Sequence, residues 1–286
     1  MFGVLKNRYV IQGNIVFKTP LHIGSGESGT RTDSLVVKYF NGEPYIPGSS
    51  FKGVLRGTLE RIAPVLGLDS CLLYSGSECG KVIREEIEGN SDLKKMVENL
   101  PDGEEVYMKY LLEEARKNRG LCRTCRLFGS PYMASRIYFD DLQADNSVGN
   151  LRYEVRDGVG IDRDTGTAVE GVKYDYEVVP QGIKFSLRAR MENAEDEDIL
   201  LLAVGLRELT EGIRMGGMTS RGLGSCKIEG LEITEFLLET EEGKKKFWAY
   251  LATGKLPPGA IKGETFIKER ILAAFPETGE KEAKPC

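Results

Sequence analysis

Residues 183–190, IKFSLRAR, alternate apolar and polar side chains without a break, with Ile183, Phe185, Leu187 and Ala189 on one side. An extended backbone points successive side chains to opposite faces, so this segment is a strand with one dry face and one wet face. Soon after it, residues 198–213 carry Leu201, Leu202, Val204, Leu206 and Leu209 as a stripe at helical spacing. A half-buried strand followed by an amphipathic helix points to an α+β arrangement in which helices cover one face of a sheet.

The rest of the chain fits that scheme. Residues 8–17 are rich in Val and Ile and read as a strand. Residues 34–39 and 44–46 read as an extended pair turned by Asn41-Gly42, a favoured hairpin dipeptide. Phe51, Val54, Leu55, Leu59, Ile62 and Leu66 sit at helical spacings behind Ser49 and Ser50, which predicts a helix over 50–66 with a serine cap. Residues 136–144 read as a strand, and 145–182, rich in Gly, Asp, Val and Tyr, as a long exposed hairpin or loop. GGMTSRGLGSCKIEGLEI is a glycine loop running into a last strand. Beyond residue 239 come a short helix with Trp248, a Pro/Gly connector and a weaker helix near 267–275. The stretch 68–120, with two charged helical runs, looks inserted. Without it the order is that of a ferredoxin-like βαββαβ unit, a common platform for RNA.

The chain has 286 residues and a formal net charge of −5. It lacks the ~18–20 unbroken apolar residues of a membrane span and a leader-like amino terminus, so a cytoplasmic protein without a membrane partner is expected. Net acidity argues against nucleic acid, yet the charge is segregated. Residues 1–57 hold seven bases and three acids, and 116–136 hold six bases and no acid. Residues 58–115 hold thirteen acids against six bases, and 191–211 seven against one. This predicts a basic groove containing Lys52, Arg56 and Arg221, with the acidic surface turned away from it. Solvated helix faces are the plainer reading of such runs.

Three loops carry candidate anion chemistry. His22-Ile23-Gly24-Ser25-Gly26 offers backbone amides, a hydroxyl and the chain's single imidazole. Ile46-Pro47-Gly48-Ser49-Ser50-Phe51-Lys52 enters the first helix, whose free amides favour anions, and Lys52 and Arg56 lie one turn apart. Gly216-Gly217-Met218-Thr219-Ser220-Arg221-Gly222 has neither the sequence nor the setting of a nucleotide-triphosphate or dinucleotide loop, but it suits a polymeric phosphate backbone. The bland alternatives are a turn, a capped helix and a connector.

Together HIGSG, IPGSSFKGVLR and GGMTSRGLG, with CRTCRLFGS at 122–130, resemble the RAMP superfamily, and more narrowly the repeated backbone subunit of type III CRISPR–Cas interference complexes. The resemblance spans residues 21–227. It implies a modified ferredoxin-like domain, taken as 1–239, with a β-hairpin thumb at about 155–180; the insertion at about 68–135, read from its cysteines as a zinc-stapled lid, has an acidic part that the resemblance does not cover, and neither does it cover the helical extension at 240–286. It also implies a CRISPR guide RNA, a single-stranded target RNA, further copies of the chain and other subunits of the complex as partners. His22, Gly24, Ser25, Gly26, Ser49, Ser50, Lys52, Arg56, Arg126, Gly216, Gly217, Ser220, Arg221 and Gly222 would line the guide groove. Val159, Ile161, Val169 and Val172 would wedge between bases as the thumb interrupts the guide–target duplex at six-nucleotide steps.

The family's cleavage aspartate matches Asp33, which would hold Mg²⁺ or Mn²⁺ for hydrolysis or transesterification of target RNA. Its structural alternative is a turn cap. Asp140 and Asp141 are the next carboxylates that fit as its partner. A backbone subunit without activity and a stand-alone ribonuclease that processes CRISPR precursor RNA are the alternatives. The second needs acid–base groups that a single histidine supplies poorly.

Cys122-x-x-Cys125 is a zinc half-site, and Cys71 with Cys79 is its expected other half. Four thiolates leave no open position, so such a Zn²⁺ is structural. A buried thiol pair or disulfides are the competing readings. Cys226 and Cys286 are left unpaired.

Overall fold

The computed structural model describes residues 3–29, 32–73, 121–130, 133–145 and 151–275, with single positions 79, 85, 89, 91, 92, 95 and 99 between. Apart from those single positions, the charged helical runs of the insertion lie outside the described residues, as do Arg116, Lys117, Arg119 and Cys286.

Strand β1 (Asn7–Phe17) is the centre of an antiparallel sheet and pairs on both sides. One neighbour is β7 (Lys184–Glu192), the segment of strict alternation, whose Phe185, Leu187, Ala189 and Met191 are buried between exposed polar residues. Phe185, Leu187 and Met191 each contribute ~1.5–3 kcal/mol by leaving water, and Ala189 less. The other neighbour is β9 (Ser225–Leu237). Strand β2 (Tyr45–Ile46) pairs with β4 (Leu142–Ala144), and β3 (Ile137–Phe139) and β4 both pair with β7. The single strand expected at 136–144 is thus two short ones, broken at Asp140-Asp141. Strand β8 (Ile213–Arg214) and, later, β10 (Ile261–Lys262) complete the sheet on β9. The order along it is β10-β9-β1-β7-β4-β2.

Helix α1 (Gly48–Ile62) starts two residues before the predicted start, and its last expected turn is a 3₁₀ segment, Ala63–Leu66. Pro64 lacks the amide that would continue the α-helical bonds. No serine caps it: the cap position is Pro47, and Asp141 Oδ1 accepts from the Gly48 amide at 2.7 Å. Gly48 is required there, since a Cβ would lie 2.7 Å from the Phe139 carbonyl oxygen. Short helix α2 (Arg123–Phe128) packs on α1. Helix α3 (Asp196–Glu211), predicted at 198–213, follows β7 and closes its first turn with a reciprocal box between Glu195 and Asp198. Helices α4 (Glu241–Thr253) and α5 (Gly263–Ala274) form the carboxy-terminal part. Together α1, α3 and α5 cover the apolar core of the sheet, which runs from Phe51 and Leu55 to Phe266.

A separate two-stranded sheet, β5 (Glu154–Ile161) and β6 (Ala168–Val178), stands where the long hairpin was expected. Among the described residues no helix is long and apolar enough to cross a membrane.

Candidate nucleic-acid interface and metal centre

The hairpin is rooted at His22. Its buried imidazole contacts the Glu177 carbonyl through Nδ1 at 2.7 Å and the Ser34 hydroxyl through Nε2 at 3.4 Å, and it meets Tyr176 edge-on. A carbonyl only accepts, so Nδ1 carries the proton and Nε2 is left to accept from Ser34. The Gly217 amide donates to the His22 carbonyl at 2.7 Å, and a Cβ on Gly216 would lie 2.4 Å from that oxygen. Only glycine permits this approach, and Gly216 also holds a φ of 88°. The first and third candidate loops therefore meet at one histidine.

The Asp33 loop docks on the same root. The Asp33 and Ser34 amides donate to the Asp175 carbonyl, and the Asp175 amide donates to Asp33 Oδ2 at 2.9 Å. Asp33 is exposed and has a second carboxylate oxygen to offer. Beneath it, buried Glu177 accepts from the Val36 amide at 3.1 Å and pairs with Lys38 at 2.8 Å, while Lys38 lies 3.7 Å from the centroid of the Tyr153 ring. Neither Glu177 nor Lys38 stood out in the sequence. Alternation with Tyr176 and Val178 would put Glu177 on the wet face, whereas all three are buried, and no local pattern specifies a partner 139 residues away.

The backbone amides are less free than the glycine content suggested. The Ser25 amide donates to Leu35, Gly24 bridges Val36, and the Ser25 hydroxyl accepts from the Glu27 amide beyond Gly26. In the third loop Arg221 and Gly222 close a 3₁₀ turn on Met218 and Thr219. What remains open is an exposed tip, the Ser220 and Arg221 side chains beside the backbone of Gly222. Arg221 reaches Tyr174 on the hairpin, donating to its hydroxyl. Val159, Ile161, Val169 and Val172 are each 41–50% exposed on the two strands, a costly display for side chains of this type.

At the second loop Ser49 is exposed and Ser50 half-buried in the first turn of α1. Partial burial, and then the charge of Arg56, pull the Lys52 ammonium below its usual range. Arg56 is a correction to the predicted groove. It is 8% exposed, with its donors spent on Glu60, on the Gly129 carbonyl and on the Cys125 sulfur. Arg126 pairs with Glu195 at 3.0 Å. Arg123 and Arg136 converge on the same carboxylate, and Arg136 also meets Asp198. The described part of the basic run 116–136 is therefore neutralised by the acidic run 191–211 rather than laid along a groove. Asp141 spends one carboxylate oxygen at the start of α1.

Arg56 leads to the metal centre. Cys71, Cys79, Cys122 and Cys125 hold their sulfurs within 4.8 Å of one another. Cys71 lies 3.4 Å from Cys125 and 3.6 Å from Cys122, sulfur to sulfur. Those distances exclude disulfides, which need ~2.05 Å. They are near the edge of a tetrahedron with ~2.3 Å zinc–sulfur bonds, about 3.8 Å. The Cys71 amide donates to the Cys122 sulfur at 3.3 Å and the Cys122 amide to the Cys79 sulfur at 3.2 Å, as thiolates require. The four residues fit a structural zinc ion.

The family model of the RAMP superfamily matches residues 14–227. A protein of Methanocaldococcus jannaschii named CRISPR system Cms endoribonuclease Csm3 is 26% identical over 251 residues, covering 85% of this chain and 88% of the relative. A protein of the same name from Methanothermobacter thermautotrophicus is 25% identical over 278 residues, covering 84% and 91%.

Proposed function

Because the chain belongs to the RAMP superfamily, we propose that it is a guide-RNA-binding backbone subunit of a type III CRISPR interference complex that cleaves complementary target RNA through Asp33. The two relatives named as CRISPR endoribonucleases support the activity. The strand order β9-β1-β7-β4, with α1 after the first strand and α3 before the last, supports a ferredoxin-like core. The observation that carries the reading is the junction at His22, where the HIGSG loop, the Asp33 loop, the GGMTSRGLG loop and the root of the hairpin are bonded to one another.

In this reading RNA passes the exposed tip at Ser220–Gly222, with Arg221 placed for a phosphate, while the exposed valines and Ile161 of the hairpin part the bases. Asp33 Oδ2, held by the Asp175 amide, fixes the carboxylate and leaves the other oxygen for the substrate side. A Mg²⁺ or Mn²⁺ ion bound there would supply charge neutralisation at the phosphate and an activated nucleophile. The cysteine centre would hold the inserted lid to α1 and α2.

A scaffold without activity is the second reading, favoured by the same hydrogen bond, because capping Asp175 is an ordinary use of an aspartate. Asp33→Asn separates the two. The amide oxygen still accepts from Asp175, but the charge that binds a cation is gone. In the assembled complex, target cleavage should fall on the order of 10²–10³-fold with guide RNA content unchanged. Cleavage at the wild-type rate and spacing would leave only the scaffold.

A further inference from the structure

An arginine in a motif read as RNA-binding has every nitrogen turned inward. Arg56 Nε donates to Glu60 Oε1 at 2.7 Å, Nη1 to the Gly129 carbonyl at 2.9 Å, and Nη2 to the Cys125 sulfur at 3.3 Å. Gly129 immediately follows α2, the helix that carries Cys125, so the guanidinium grips both that helix's end and its sulfur. Two other sulfurs, those of Cys79 and Cys122, receive backbone amides. Arg56 supplies Cys125 with the equivalent donor from a side chain.

A divalent ion with four thiolates carries a net charge of −2, which is costly in a buried corner. A cation fixed beside one sulfur offsets part of it, and Glu60 fixes the cation. We propose that Arg56 is the positioning residue of the cysteine metal centre, a cationic hydrogen-bond donor to the Cys125 thiolate, and not a phosphate contact. This rests on the zinc reading of the four cysteines.

The test uses the full-length protein. Zinc transfer to a chromophoric chelator should be about 10–100-fold faster in Arg56→Met, the usual penalty for losing an outer partner of a metal ligand. Arg56→Lys keeps the charge but not the fork, and should fall between the two; it also serves if the methionine variant does not fold. In cobalt-substituted protein, the sulfur-to-metal charge-transfer band should move in both variants. Guide RNA affinity with zinc saturating should stay within about twofold for a residue that makes no phosphate contact. Unchanged zinc transfer, an unmoved cobalt band, or RNA affinity that falls while metal retention holds would each overturn the proposal. Wild-type protein that carries no zinc and takes up no cobalt would instead remove the zinc reading, whatever Arg56 does.

Discussion

Two corners of the molecule hold nearly all its notable polar side chains, and they use them in opposite ways. At the corner of α1, α2 and the start of α3, four arginines face cysteine sulfur, carbonyl oxygen and carboxylate, each held by a partner within the chain. At the root of the hairpin, His22 and Glu177 are also spent, but only to prop up what stands above them. There Asp33 keeps an oxygen and Arg221 remains exposed. Residue type therefore does not separate the corners; what separates them is whether the partner is already in the chain. The closed corner should govern stability and leave RNA alone, and the open corner should do the reverse.

The largest effect that tests this division is at Arg136, 1% exposed against a fully buried Asp198. Arg136→Met takes from that buried carboxylate its direct ion pair and leaves it the Glu195 amide and Arg123 at 3.7 Å, a loss of about 3 kcal/mol, and should lower the melting temperature by roughly 10 °C. RNA affinity of the folded protein should not change. A variant that melts normally but fails to bind RNA would erase the distinction between the corners.

Next comes acid sensitivity. Burial raises the Glu195 carboxyl, but hydrogen bonds from Arg123 and Arg136 and the charges of Arg136 and Arg126 outweigh it, bringing it to about 2. A folded value below the unfolded one means that this stability is complete above about pH 4.5 and lost as pH falls towards 2. Since the side chain is 42% exposed, solvent screening reduces the contribution to about 1–2 kcal/mol. Glu195→Gln should flatten the acid limb of a stability–pH curve between those values. An acid limb as steep as the wild type's would assign the acid response to other carboxylates.

The difference between the corners also explains what could be read from the chain. Alternation in 183–190 and the Cys-x-x-Cys spacing are local patterns, and both lead to what is observed, a one-sided strand and one arm of a sulfur cluster. Arg56 misleads because helical spacing sets it on the face of Lys52, while its fate is decided by α2, some seventy residues later. The basic and acidic runs mislead in the same way: counted along the chain they look like separate surfaces, and in space they neutralise each other. Ser49 and Ser50 fit a cap by residue type, yet an aspartate 93 positions away does that job. Local periodicity survives folding; pairing between distant segments cannot be seen in either partner alone.

The smallest expected change in stability belongs to the open corner and is for that reason the sharpest test of it. Arg221→Ala and Val159→Ser alter exposed side chains, so each should move stability by no more than about 0.5 kcal/mol. Their effects on RNA should differ in kind. Removing one phosphate-contacting charge from a single-stranded ligand lowers the slope of log affinity against log salt by about 0.7, so Arg221→Ala should bind less tightly at low salt and converge on the wild type at high salt. Val159→Ser removes no charge and should leave that slope alone. Its effect should appear only where bases are parted, as a shift in the spacing or yield of target fragments from the assembled complex. If both variants change the salt slope equally, the hairpin is another phosphate contact; if neither does, the open corner does not face RNA.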